Sequence, residues 1–176
     1  RIRDVQLIKG EGGDVGNPQT AEQARTIRTA LARHGDTWWT MCCTGMMPDE
    51  LWGAKWKVGP NCIAIMGTKR ADRKRKVPRI WTPTRPTPET PGGFAKALVK
   101  ATGGAVVPYD GRRTFMHWME EAGITRTRRK LYMGHRAKDV SDLYERHDLA
   151  AYLDSDAELL RKYLGEQRRH LEVVRR

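Results

Sequence analysis

The chain has no apolar run close to the ~18–20 residues that a helix needs to cross a bilayer, so no membrane span is expected. No basic amphipathic helix with a bulky apolar face stands out, which argues against an anionic membrane surface as partner. Cysteine is scarce, with three residues at 42, 43 and 62, two of them adjacent. No C-x-x-C pair occurs. A disulfide scaffold and a Cys-rich zinc site are therefore not expected, and the three read as reduced, mostly buried thiols of a cytosolic protein. Acidic residues are few: 21 Asp and Glu stand against 33 Lys and Arg, a formal net charge of +12. That excess points to a polyanionic partner, nucleic acid first, because it lines phosphates up along an axis. No internal repeat is visible. The opening RIRDVQLIKG is too charged for a signal peptide, and a chain opening on Arg1 reads as a fragment or processed product.

What is present is enough apolar material, 39 % of 176 residues, for one domain with a core. The pattern predicts a mostly α fold with a small antiparallel β-sheet (α+β). Asn17-Pro18 looks like a helix start, followed by Ala24, Ile27, Ala30 and Leu31 at helical spacing, with Gly35 as the stop. An uncharged helix over about 37–44 carries Trp38, Trp39, Met41 and Cys42, and its lack of charge predicts burial. Pro48-Asp49-Glu50 opens a short helix with its acids at the favourable end of the dipole. Trp56–Val58, Cys62–Met66 and Lys76–Ile80 read as three strands, the last two joined by a polar turn over 70–73. Four prolines over 82–93 mark a linker crossing one face. Helices are expected over Phe94–Ala101, Asp110–Ala122, Thr125–Met133, Asp139–Glu145 and, as one or two, Leu149–Val174.

The chemistry-bearing residues come in an ordered set. Thr44-Gly45-Met46-Met47-Pro48-Asp49-Glu50 ends the buried helix. Gly67-Thr68-Lys69-Arg70 precedes the basic turn, and Lys76-Val77-Pro78 follows it. Tyr109-Asp110-Gly111-Arg112-Arg113-Thr114-Phe115 opens a helix. Gly134-His135 follows, and Tyr144 stands nine positions after His135. This set resembles the catalytic domain of the tyrosine recombinases, the phage-integrase family, over about residues 17–165. The resemblance rests on a T-G-x-R-x-x-E motif, a hairpin lysine followed by V-P, an H-x-x-R motif, a G-H motif and a tyrosine, in that order. Taken singly each is weak; their joint order carries the likeness.

The resemblance implies site-specific DNA recombination through a 3′-phosphotyrosine link, with no metal and no nucleotide cofactor. A tyrosine hydroxyl can attack phosphorus and store the bond energy in a covalent ester, so the strand reseals without ATP. Charge that develops on the non-bridging oxygens calls for preorganised donors, for which the arginine fork is well shaped. Carried over, Tyr144 would be the nucleophile, Arg112 the phosphate clamp, His135 a donor to a non-bridging oxygen and Lys69 the acid that protonates the leaving 5′ oxygen. Tyr109 would take the place of the family's first histidine. Arg70, Arg73, Lys74, Arg75, Arg113, Arg128 and Arg129 would face the duplex: residues 69–86 hold eight basic residues and one acid, and residues 112–138 eight and two. The partners implied are double-stranded DNA and, on it, a homotetramer, with the terminal helix around 155–172 docking on a neighbour. A separate N-terminal DNA-clamping domain would lie outside this fragment, and the location would be cytoplasmic, at the nucleoid. The rival readings are an integrase-like DNA-binding protein that has lost cleavage and a type IB topoisomerase.

One departure bears on chemistry. Met47 stands where the family has its first arginine, and a thioether cannot hold an anion. Arg113 or Arg79 are the sequence's candidates to replace it, and Glu50 reads as a structural partner. On sequence alone, Met47→Arg is expected to speed cleavage of a nicked suicide substrate by about 10–10³-fold, the scale of one transition-state donor. A folded variant that cleaves no faster would mean that another cation already serves there.

Overall fold

A computed structural model describes residues 16–67, 74–87, 90–135 and 149–165. They form seven α-helices and one three-stranded antiparallel sheet. The helices are α1 (Ala21–Ala30), α2 (Gly35–Thr44), α3 (Pro48–Trp52), α4 (Pro91–Thr102), α5 (Asp110–Glu121), α6 (Arg126–Tyr132) and α7 (Leu149–Tyr163). The strands are β1 (Trp56–Val58), β2 (Cys62–Ile65) and β3 (Arg75–Pro78), in the order β1-β2-β3.

The α+β reading of the sequence holds at this level, with local differences. Thr20, not Asn17, caps α1: its hydroxyl accepts from the Gln23 amide while the Gln23 side chain accepts from the Thr20 amide, a reciprocal box. Asn17 is used elsewhere, donating its amide to Asp110 and its side-chain nitrogen to the Ala105 carbonyl. Gly35 opens α2 instead of closing α1, because a single 3₁₀ turn over Ala32–His34 already makes the corner. The helix expected over Asp139–Glu145 and the turn at 70–73 lie outside the described residues.

The uncharged run at 37–44 is buried as its composition predicts. From Thr37 to Thr44 every residue of α2 is buried, with Trp38, Trp39, Met41, Cys42 and Cys43 in the core, while Asp36 in the first turn is exposed. Its threonines are satisfied internally: Thr44 Oγ1 donates to the Thr40 carbonyl, and Thr40 Oγ1 accepts from Trp81 Nε1. Burial raises the Cys42 thiol pKa well above its ordinary value, the neighbouring Cys43 adding to this, so Cys42 stays protonated and unreactive. α5 crosses α2 closely. Trp118 packs on Trp39 with ring centroids 5.4 Å apart, and a Cβ on Gly111 would sit 2.7 Å from Met41 Cβ.

The proline-rich segment is strapped to this helix. Thr37 and Thr87 exchange two hydrogen bonds of 3.0 Å, and His34 Nδ1 lies 2.9 Å from the Thr87 carbonyl. On the opposite flank α7 lies along β3, α5 and α6 and buries Leu153, Asp156, Ala157 and Leu160. Tyr132 donates a 2.7 Å hydrogen bond to Asp156 Oδ2, and Arg128 Nε is 3.2 Å from the same oxygen. Arg161 reaches the Arg79 carbonyl at 2.5 Å, and Arg25 donates to the Leu164 carbonyl. The stretch 155–164, expected to dock on a neighbouring protomer, thus spends its apolar stripe inside its own domain. Residues 166–172 of that expected helix lie outside the described residues.

Gly111 gives a stability test. Alanine in a helix interior gains up to about 1 kcal/mol over glycine by propensity, but a new methyl in this contact forces the two helices apart, at about 1–3 kcal/mol. Gly111→Ala should therefore lower the urea midpoint. A raised midpoint would show that α2 and α5 separate without cost.

Candidate active site

The site is built around the turn that ends α2. Gly45 caps the helix in the left-handed region, φ 62°, with its amide on the Met41 carbonyl. A side chain there would be strained by that φ and would bring Cβ to 2.7 Å from Phe115. Thr44 Oγ1 accepts from the Met46 amide and steers the chain out of the turn. Met47 then precedes α3, and its amide donates to Glu50 Oε2 at 2.8 Å. The T-G motif is thereby a fixed turn whose Gly45 carbonyl is left over as an acceptor.

Arg112, in the first turn of α5, takes that acceptor. Its Nη1 donates to Gly45 O at 2.7 Å and its Nη2 to Met133 O. Met133 stands at the end of α6, just before Gly134, which is also left-handed at φ 69°. His135 follows, its amide on the Lys130 carbonyl at 2.9 Å and its side chain exposed. One buried guanidinium therefore joins the T-G turn to the end of α6 just before the G-H turn. Tyr109 is 42 % exposed at the start of α5, close enough to favour the charged form of Arg112.

Arg75 enters from β3 and corrects its expected place. The sequence groups it with cations facing a duplex, yet its side chain is buried, with Nη1 2.6 Å from Glu50 Oε1 and Nη2 2.8 Å from Oε2. Nη2 also reaches Gly45 O at 3.2 Å. The reason is strand phase. Side chains alternate in β3, so Arg75 shares the inward face with Val77 while Lys74 and Lys76 are exposed. Reading the strand from Lys76 hid this; starting it one residue earlier would have shown it.

Burial pushes the Glu50 carboxyl up, but the Arg75 hydrogen bonds and charge, the Met47 amide and the Arg112 charge pull it below the ordinary carboxylate range. Arg112 is held lower than a free arginine by burial first and by the Arg75 charge second, with Glu50 and Tyr109 opposing. Two buried guanidiniums thus share one carboxylate, a local excess of one positive charge. Such a cluster favours an anion near it.

The other expected cations divide. Arg113 pairs with Asp110 at 2.9 Å and lies over the Tyr109 ring at 4.9 Å. Arg128 pairs with Asp156 and lies over Tyr152 at 4.5 Å, and Arg129 pairs with Glu120 at 2.7 Å. The chain-local charge count missed Asp156, which arrives from α7. Lys74 is exposed. Lys69, Arg70, Arg73 and Tyr144 lie outside the described residues. Sequence reading missed Lys57: β1 and β3 flank β2 so that Lys57, Ala64 and Lys76 form one row, with both lysines exposed. Period-two alternation across the three strands is the signal that would have found it.

Among the described residues no group of three or more His, Cys, Asp or Glu could hold a metal ion, and no helix is long and apolar enough to cross a membrane. In comparisons with known proteins, no family model, no curated protein and no solved structure matches the chain.

Glu50 carries a pH prediction. Its folded pKa is depressed, so its stabilisation is complete above the unfolded carboxylate value and is lost as pH falls through the folded one. Glu50→Gln leaves Arg75 buried without its counter-charge, which costs about 3–5 kcal/mol at neutral pH. Urea midpoints of parent and variant should begin to converge as pH falls below about 4, near the ordinary glutamate value, and meet only once the folded carboxyl, which is held lower, is protonated too. A gap that stays constant from pH 7 to pH 3 would remove Glu50 from the ion pair.

Proposed function

We propose that the chain is the catalytic domain of a tyrosine-type site-specific DNA recombinase. The observation that carries this reading is Arg112. Its two hydrogen bonds tie Gly45 of one motif to Met133, next to Gly134-His135 of another, and bury a guanidinium where a local positive charge is left over. Motifs distant in the chain meet at one place, as a shared site requires. The fold level of the reading is the α+β arrangement; the recombinase assignment rests on the motif order together with this convergence.

In the proposed reaction the Tyr144 hydroxyl attacks the scissile phosphorus. The phenolic proton passes to solvent as the bond to tyrosine forms and the bond to the 5′ oxygen breaks, leaving a 3′-phosphotyrosine. Lys69 supplies the proton that the departing 5′ oxygen takes up. Arg112 and His135 face the non-bridging oxygens, whose charge grows in the transition state, and Tyr109 adds a hydroxyl beside Arg112. The exposed lysine row Lys57–Lys76 offers phosphate contacts along a duplex, each of which steepens the salt dependence of binding. Rejoining to another strand reverses the step, and four protomers on two sites would exchange strands in pairs.

Met47 favours one second reading, a DNA-binding protein without cleavage. A suicide duplex, nicked so that the released fragment diffuses away, separates the two. The parent should accumulate a covalent protein–DNA complex, and Tyr144→Phe should abolish it while DNA affinity changes less than about threefold, since only a hydroxyl is lost. Tyr132→Phe and Tyr152→Phe should still form it. DNA bound by the parent with no covalent product would establish the second reading.

A further inference from the structure

Met47 leaves the proposed site short of a cation, and neither of the sequence's replacements is placed to supply one. Arg113 is turned to Asp110, and Arg79 donates to the Gly59 carbonyl and holds α7 through its own carbonyl. Arg75 is placed differently. It and Arg112 come from different elements, β3 and α5, and donate to the same oxygen, Gly45 O, at 3.2 and 2.7 Å. Arg75 is fixed there by both oxygens of Glu50. Glu50 is itself fixed by the amide of Met47, the residue where the arginine is missing. Arg75 Nε, although buried, has no hydrogen-bond partner.

We propose that Arg75 is a positioning residue for the scissile phosphate: it supplies from β3, through the Gly45 turn and alongside Arg112, the second positive charge that Met47 does not. This rests on the recombinase reading of the same site. Arg75 does not need to touch the phosphate. Two guanidiniums on one carbonyl, out of water, project a field that solvent screens weakly. Its attraction for the non-bridging oxygens grows as charge gathers on them. Glu50 holds the fork in place and offsets only one of the two charges. The arrangement explains why the Met47 position tolerates a thioether: its neighbourhood already holds a guanidinium, delivered by strand phase instead of by the T-G turn.

The test compares two nicked suicide duplexes that differ at the scissile phosphate, one an ordinary phosphodiester and one a methylphosphonate, which lacks the negative non-bridging oxygen. Arg75→Met should slow covalent complex formation on the phosphodiester by about 10–10²-fold, somewhat less than loss of a donor in direct contact. On the methylphosphonate the change should stay within about threefold, because there is little charge for the field to act on. Equal slowing on both substrates, or slowing on neither, would reduce Arg75 to a packing role and overturn the proposal.

Circular dichroism checks folding first. If Arg75→Met does not fold, the double variant Arg75→Met/Met47→Arg returns a guanidinium to Glu50 and carries the same comparison. It should cleave the phosphodiester within about tenfold of the parent. A folded double variant that has lost phosphodiester cleavage would overturn the proposal. Met47→Arg alone should gain less than about tenfold, at the floor of what the sequence led one to expect, because its place is already served. A larger gain also counts against Arg75. A parent that forms no covalent complex on either duplex would instead overturn the recombinase reading, and it shows before any variant is made.

Discussion

The carbonyl of Gly45 is the acceptor on which the site is assembled. A helix end leaves its last carbonyls unpaired, and a buried one without a donor costs about as much as a lost hydrogen bond. Here the unpaired oxygen lies at the end of the central helix, α2, with Arg112 and Arg75 both donating to it. Water could have served the same oxygen at a surface. Because the turn is buried, the donors have to come from the protein, and they arrive charged. From that requirement follow the position of α5 against α2, the anchoring of β3 by its first residue, and the grip of Arg112 on the end of α6.

The charge pattern of the molecule follows from where counter-charges come from. A net charge of +12 looks like one continuous basic surface when counted along the chain. In three dimensions Arg113, Arg128, Arg129 and Arg75 each have a carboxylate, two of them supplied by segments more than twenty residues away. Among the described residues the exposed basic charge is carried by lysines such as Lys57, Lys74 and Lys76 and by arginines such as Arg25, Arg33, Arg85 and Arg126. Lysines on a sheet face hold phosphates as point charges, without the fixed geometry of a guanidinium.

Legibility in the sequence differed by the range of the interaction involved. The three strands, the short α3 and the buried α2 were readable because composition and period act locally. The start of α1 was missed because two capping signals, Asn17-Pro18 and Thr20 with Gln23, lie within a turn of each other, and the long-range bond from Asn17 to Asp110 decided between them. At the site, Arg112, the G-H turn and the structural role of Glu50 were legible as motifs. Arg75 was not, since a strand read from Lys76 leaves it outside the alternation that puts it on the inward face with Val77. The acids that pair with Arg128 and Arg75 were equally hidden, because nothing in a local charge count reports a carboxylate that arrives from another element.

The burial of α2 from Thr37 to Thr44 has a consequence for how the molecule opens. Its amides are hydrogen-bonded within a helix that has no solvent-facing stripe, and its ends are closed by Gly35 packed on the Arg28 carbonyl and by the left-handed Gly45. A surface helix can fray and exchange its amide hydrogens one turn at a time. Beyond its first turn α2 has no such route: to wet Thr37–Thr44, α1, α5 or the strap at Thr87 has to lift away first. Its amide protons therefore exchange only when the domain opens as a whole, and their exchange rate reads out the global stability directly, whereas α1 and α4 also lose protons through local events.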